Sequence, residues 1–127
     1  LPLPMHQNAE LAAEAAAEAY AQRGAAGFWA FHDALFADQR ALDRQGLDKV
    51  AAGLGLDMAK FDAALDGHTH ASHVESDAKL ASSLGITGTP GVTVNGYLVS
   101  GAQPLAKFKR VVALAMKSGP APAGKRP

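Results

Sequence analysis

Apolar positions recur every three to four residues through most of the first 84 positions, the spacing that places them on one face of a helix. Leu11, Ala12, Ala15, Ala16 and Ala19 predict a helix from Asn8, a fitting N-cap, to about Gln22, with Gly24 as its stop. Small alanines on that face suit close packing against another element. A second helix spans about Ala26 to Asp38, with Phe28, Phe31, Leu35 and Phe36 inward and Trp29 flanking them. A third, near Asp43 to Leu54, carries Leu47, Val50, Ala51 and Leu54; Gly46 inside it costs about 1 kcal/mol relative to alanine. Asp57 caps a short fourth helix with Met58, Phe61, Ala64 and Leu65 inward, ended by Gly67. The fifth runs from Thr69 to Leu84 on Val74, Ala78, Ala81 and Leu84, and Gly85 closes it.

The period then changes from helical to alternating. Val92 to Val94 and Tyr97 to Val99 are short β-prone runs, joined by Asn95-Gly96, the dipeptide that best tolerates the positive φ angles of a two-residue hairpin. Thr89-Pro90 leads into the first run, where a proline costs no ladder donor and where an X-Pro bond can take the cis form. A two-stranded hairpin is marginal alone and needs further cover. After it, Pro104 suits the first turn of a last helix with Leu105, Phe108, Val111, Val112 and Ala115 buried. Lys107, Lys109, Arg110 and Lys117 form its solvated side. From Ser118 to Pro127 the proline, glycine and alanine content predicts a disordered tail.

With 127 residues the chain is of one-domain size, and 12 basic against 12 acidic side chains leave no electrostatic case for nucleic acid or an anionic membrane. No apolar run is long enough to span a bilayer, so no membrane insertion is expected. Cysteine is absent, which removes disulfides, thiolate metal sites and a cysteine nucleophile from this chain. The opening Leu-Pro-Leu-Pro-Met, with prolines holding their predecessors extended, has neither an initiator methionine nor a signal segment and reads as the start of a fragment or processed piece.

Chemistry-bearing clusters are few. His68, His70 and His73 crowd the start of the fifth helix, with His70 and His73 at i and i+3 and Asp66 nearby; a solvated cluster is the expected state, and no metal or cofactor is assigned. His32, beside the aromatic stripe, is expected to be a hydrogen-bonded packing residue. Glu75 and Asp77 read as a solvated helix face. The glycines around Thr87 lead into a strand rather than opening a helix, so they form no phosphate loop, and Ser82, Ser83 and Ser100 lack the setting of a nucleophile elbow.

Taken in order, these pieces have a recognisable character. Phe28-Trp29-x-Phe31-His32-Asp33-x-Leu35-Phe36 and Leu54-Gly55-Leu56-Asp57 resemble the helical insert of bacterial DsbA-like thiol:disulfide oxidoreductases. Gly85-Ile86-Thr87-Gly88-Thr89-Pro90, the Val-Asn-Gly hairpin and Ser100-Gly101-Ala102-Gln103-Pro104 resemble their cis-proline loop, hairpin and final helix. The resemblance reaches to about Lys117. It implies an α/β thioredoxin-like fold, α+β within this stretch: a helical insert over 7–84, then loop, hairpin and helix over 85–117, with an incomplete sheet.

It further implies that Thr89 and Pro90 are the substrate-side residues, pairing with a bound protein or peptide as an added strand does, that Pro90 is cis, and that the parent works in the periplasm or another extracytoplasmic space. In such proteins a low-pKa thiolate of a Cys-x-x-Cys motif, at the start of a helix preceding the part present here, does the exchange. That motif is missing, so the chain alone is expected to be redox-inert and has no catalytic residue to name. An uncovered sheet edge is expected to promote self-association, as a homo-oligomer or segment-exchanged dimer. A second reading is a non-catalytic thioredoxin-like module that binds peptides beside Thr89. A third, a relative of the kappa glutathione transferases or of isomerases with serine for cysteine, suits Thr-Gly-Thr-Pro less well.

Overall fold

The computed structural model of the chain describes residues 1–122 and 124–125. Its elements are α1 (Ala9–Ala37), α2 (Arg44–Gly53), α3 (Met58–Asp66), α4 (Ala71–Ser83), β1 (Gly91–Val94), β2 (Tyr97–Ser100) and α5 (Leu105–Ser118). Mostly helical, with one two-stranded antiparallel sheet among the described residues, the arrangement is α+β with a small sheet, as the resemblance implied. The chain divides into two compact units: Pro2–Glu75, and Leu1 together with the residues from Ser76 on. The division falls inside α4, whereas the sequence places the end of the helical insert at 84.

In the first unit α1, α2 and α3 pack around Phe31, Leu47, Phe61 and Leu65, all essentially buried, with Ala12, Ala15, Ala16 and Ala19 from α1. The Phe31 and Phe61 rings lie 5.9 Å apart. The two helices expected over 8–22 and 26–38 are one element with a break at Gly24, whose φ of 63° and ψ of −155° suit glycine alone. Asp43 and Asp57 cap α2 and α3, accepting from the backbone N–H groups of Gly46 and Lys60. Asn8 stands at the start of α1 without a side-chain cap bond.

Two parts of the expected apolar stripes face outward. Phe36 is 65% exposed and Trp29 57%, because Phe31, Phe28 and Leu35 already occupy the face of α1 turned to α2 and α3. On α5, Val111 and Ala115 are buried with Phe108 beside them, while Leu105 and Val112 are exposed, since two strands cover only a narrow strip of helix.

In the second unit, Val92 and Val94 of β1 and Tyr97 and Val99 of β2 share the face turned to α5. Asn95 and Gly96, at φ 49° and 90°, make the hairpin turn. The described residues after α5 follow the hairpin: Ala121 N–H donates to Asn95 O at 2.9 Å, and Lys125 O accepts from Leu98 N–H at 2.8 Å. The disordered tail expected over 118–127 therefore does not describe Ala121 and Lys125; Ala123, Arg126 and Pro127 lie outside the described residues.

Candidate substrate-binding edge

The segment from Gly85 to Gly101 is held at both ends by backbone bonds. Gly85, at φ 74°, ends the α4 stretch, and Ile86 N–H donates back to Ala81 O at 2.9 Å. Ile86 then folds over Gly91, where an added Cβ would lie 2.5 Å from the Ile86 Cγ2 atom. A side chain at that position would have to displace Ile86. The Thr89–Pro90 peptide is cis, and both residues are exposed.

Strand register decides which backbone groups are free. Gly91 pairs with Ser100, Val92 with Val99, Thr93 with Leu98 and Val94 with Tyr97. Gly101 N–H donates to Pro90 O at 2.8 Å, so Pro90/Gly101 is a hydrogen-bonded pair. Hydrogen-bonded and non-bonded pairs alternate in an antiparallel ladder. Val92 and Val94 therefore spend their amides on β2, and Gly91 and Thr93 turn theirs away from it. The same parity holds on the far side of β2, where the outward amide of Leu98 is the one that reaches Lys125.

The two outer edges of the sheet differ as a result. The edge of β2 is occupied, whereas that of β1 has no strand beside it among the described residues. Thr89 and Pro90 lie at the head of this open edge, with the exposed Thr93 further along it. The Gly-Val-Thr-Val strand carries no charge that would block a further strand.

Sequence reasoning named Thr89 and Pro90 but not the outward amides of Gly91 and Thr93. The signal for them was present: once Pro90 opens the ladder, counting in twos identifies the outward amides.

Of the three histidines, His68 and His73 are exposed, as expected of a solvated cluster, and His70 is half-buried. His68 Nδ1 lies 3.1 Å from Glu14 Oε1, and His70 Nε2 lies 2.7 Å from Glu18 Oε2. Two of the three thus pair with glutamates of α1 that are themselves buried. His73 also has an interaction partner. No group of three or more potential ligands could hold a metal ion among the described residues. The pattern Glu14-x-x-x-Glu18 amid buried alanines carried the clue, since both carboxylates fall on the alanine face.

His32 sits between the rings of Trp29 and Phe36, with centroids 5.1 and 4.6 Å away, and its Nδ1 is 3.0 Å from Asp33 Oδ1. An open polar depression is lined by Gln22, Arg23, Asp57 and Lys60. Its Gln22 and Arg23 side chains are bonded to backbone of residues 54–57, which leaves little to hold a ligand.

Comparison with known proteins gives a consistent family. Residues 1–113 match the DSBA-like thioredoxin domain. A Na(+)/H(+) antiporter NhaA of Herminiimonas arsenicoxydans is 39% identical over 100 residues, 79% of this chain and 16% of the antiporter. Na(+)/H(+) antiporter NhaA 3 of Salinispora tropica is 40% identical over 97 residues, 76% of this chain and 14% of that protein. The thiol:disulfide interchange protein DsbA of Bordetella pertussis is 35% identical over 63 residues, 49% of this chain and 30% of that protein. The chain thus spans about a sixth of the first of these relatives and under a third of the last. No solved structure gives a significant match. No helix among the described residues is long and apolar enough to cross a membrane.

Proposed function

As the chain belongs to the DSBA-like thioredoxin domain family, we propose that it forms the substrate-side part of a disulfide-exchange domain working in the periplasm or another extracytoplasmic space. Thr89, Pro90 and the outer edge of β1 receive an extended segment of a protein substrate. The sulfur chemistry belongs to cysteines outside this chain. The observation that supports this reading most is the unpaired edge beginning at Thr89, where Gly91 and Thr93 turn backbone donors and acceptors outward. An extended peptide satisfies such groups by joining as a strand, which gives affinity without demanding one side-chain sequence.

Disulfide exchange needs a thiolate to attack a disulfide sulfur. With no cysteine the chain has no such group and is redox-inert alone. The purified protein should leave the rate of insulin reduction by dithiothreitol unchanged, and turnover would refute this part. Binding is tested by the fluorescence anisotropy of a labelled, cysteine-free extended peptide. Thr93→Pro removes an outward donor while leaving the β1–β2 ladder intact, and should weaken binding about tenfold, the worth of one hydrogen bond of roughly 1.4 kcal/mol. Unchanged affinity would remove β1 from the site. Without a peptide, the same edge promotes association of two copies, detected by light scattering as a mass that rises with concentration.

A second reading is favoured by the coverage of the relatives. The antiporters match more than three quarters of the chain and the interchange protein about half. In this reading the chain is a non-catalytic interaction module carried by a longer antiporter protein, binding peptides at Thr89 without redox chemistry. A Cys-x-x-Cys motif in the coding sequence flanking this chain favours the first reading; its absence favours the second.

A further inference from the structure

We propose that the described residues between Gly119 and Lys125 are a built-in strap that closes the outer edge of β2. The composition of this stretch resembles that of a solvated linker, yet its described residues meet the hairpin at several places. Gly119, at φ 70° and ψ −166°, turns the chain at the end of α5. Ala121 then donates to Asn95 O at 2.9 Å and packs on the cluster of Tyr97, Val99, Val111 and Ala115. Lys125 makes a parallel bridge to Tyr97, accepts from Leu98 N–H at 2.8 Å and places its Nζ 5.9 Å from the centre of the Tyr97 ring.

Two glycines make room for this path. A Cβ on Gly96 would overlap the carbonyl oxygen of Ala121, and one on Gly124 would lie 2.8 Å from Leu84 O. Gly124 also has φ 78°, a conformation that penalises any side chain.

The strap is also a poor template for another strand. Pro120 and Pro122 have no amide proton, and Lys125 adds a charge, so nothing pairs readily on its outer side. An edge covered in this way ends the sheet on that side. Pairing between copies through β2 is thereby blocked.

Amide hydrogen exchange on the dilute full chain tests this without altering it. The amides of Leu98 and Thr93 are opposite each other in the register and both point away from the hairpin, one to the strap and one to the open edge. Leu98 should exchange at least about tenfold more slowly than Thr93, and Gly124→Ala should remove the difference while leaving Val99 protected. A chain ending at Ser118 should gain about a doubling of weight-average mass in sedimentation, with or without Thr93→Pro. A synthetic peptide of residues 119–127 added in trans should reverse the gain. Equal exchange of Leu98 and Thr93 in the native chain would overturn the proposal, as would unchanged mass on truncation. Either result leaves the peptide-binding reading of β1 standing, because that reading fails on its own Thr93→Pro measurement.

Discussion

Glu14 and Glu18 are deeply buried carboxylates on a helix face otherwise made of alanine, and their partners differ. Glu18 has both oxygens engaged: Oε2 with His70 and Oε1 with Gln22 Nε2 at 2.8 Å. Glu14 Oε2 is buried with no hydrogen-bond partner. Removing one member of a buried pair leaves the other uncompensated, so His70→Ala should cost about 1–3 kcal/mol in urea unfolding. Adding Glu18→Met should recover most of that loss, because an apolar replacement of both partners is often close to neutral. A double variant as unstable as His70→Ala alone would show that the pair does not carry the effect. Glu14→Leu should stabilise by about 1 kcal/mol, since it removes a half-satisfied buried carboxylate and leaves only the exposed His68, which water can satisfy, without its partner. Arg44 is a different case. Its guanidinium joins Asp66, Asp48 and Asp62, and these bonds, Asp66 foremost, push its pKa above the ordinary value. It is charged throughout the working pH range. The group is partly exposed, so Arg44→Ala should cost only about 1 kcal/mol at low ionic strength and less in roughly 1 M salt. A loss insensitive to salt would assign the effect to packing of the arginine stem.

Among the elements, α1 carries the sharpest backbone requirement. Gly24 has nothing within 4 Å of an added Cβ, so its constraint is conformational and not steric crowding. Gly24→Ala should therefore destabilise by about 1–3 kcal/mol through backbone strain alone, read as a fall in Tm. No change in Tm would mean that the break relaxes without cost. Gln22 and Arg23, just before the break, bond to the backbone of the α2–α3 connection and fix where the first half of α1 ends. Much of this was legible in the sequence. The cap Asp57, the start of α2 near Asp43, the Asn95-Gly96 turn and the stops at Gly67 and Gly85 follow from short-range chemistry. The outward placement of Trp29, Phe36, Leu105 and Val112 did not, because helical periodicity states that a face is apolar but not how much cover the rest of the chain supplies. The Glu–His pairs were missed for a related reason: 52 and 54 residues separate the partners, and only tertiary packing joins them.

Taken whole, the chain combines a well-filled helical unit with a hairpin unit whose two sheet edges have opposite fates. Composition hid the strap, since proline and glycine mark both a solvated linker and a segment that approaches backbone closely without pairing further. The proposed substrate edge was half visible: Thr89-Pro90 can be read from the string, while the outward amides of Gly91 and Thr93 need the register. The central claim is that this edge accepts an extended chain. The most direct measurement is a titration of the uniformly ¹⁵N-labelled protein with a cysteine-free extended peptide, following backbone amide shifts. The account predicts saturable changes concentrated at Thr89, Gly91 and Thr93, with Leu98 and the residues of α2 and α3 unmoved. Shifts confined to Trp29, His32 and Phe36, or none at β1 at saturating peptide, would contradict it.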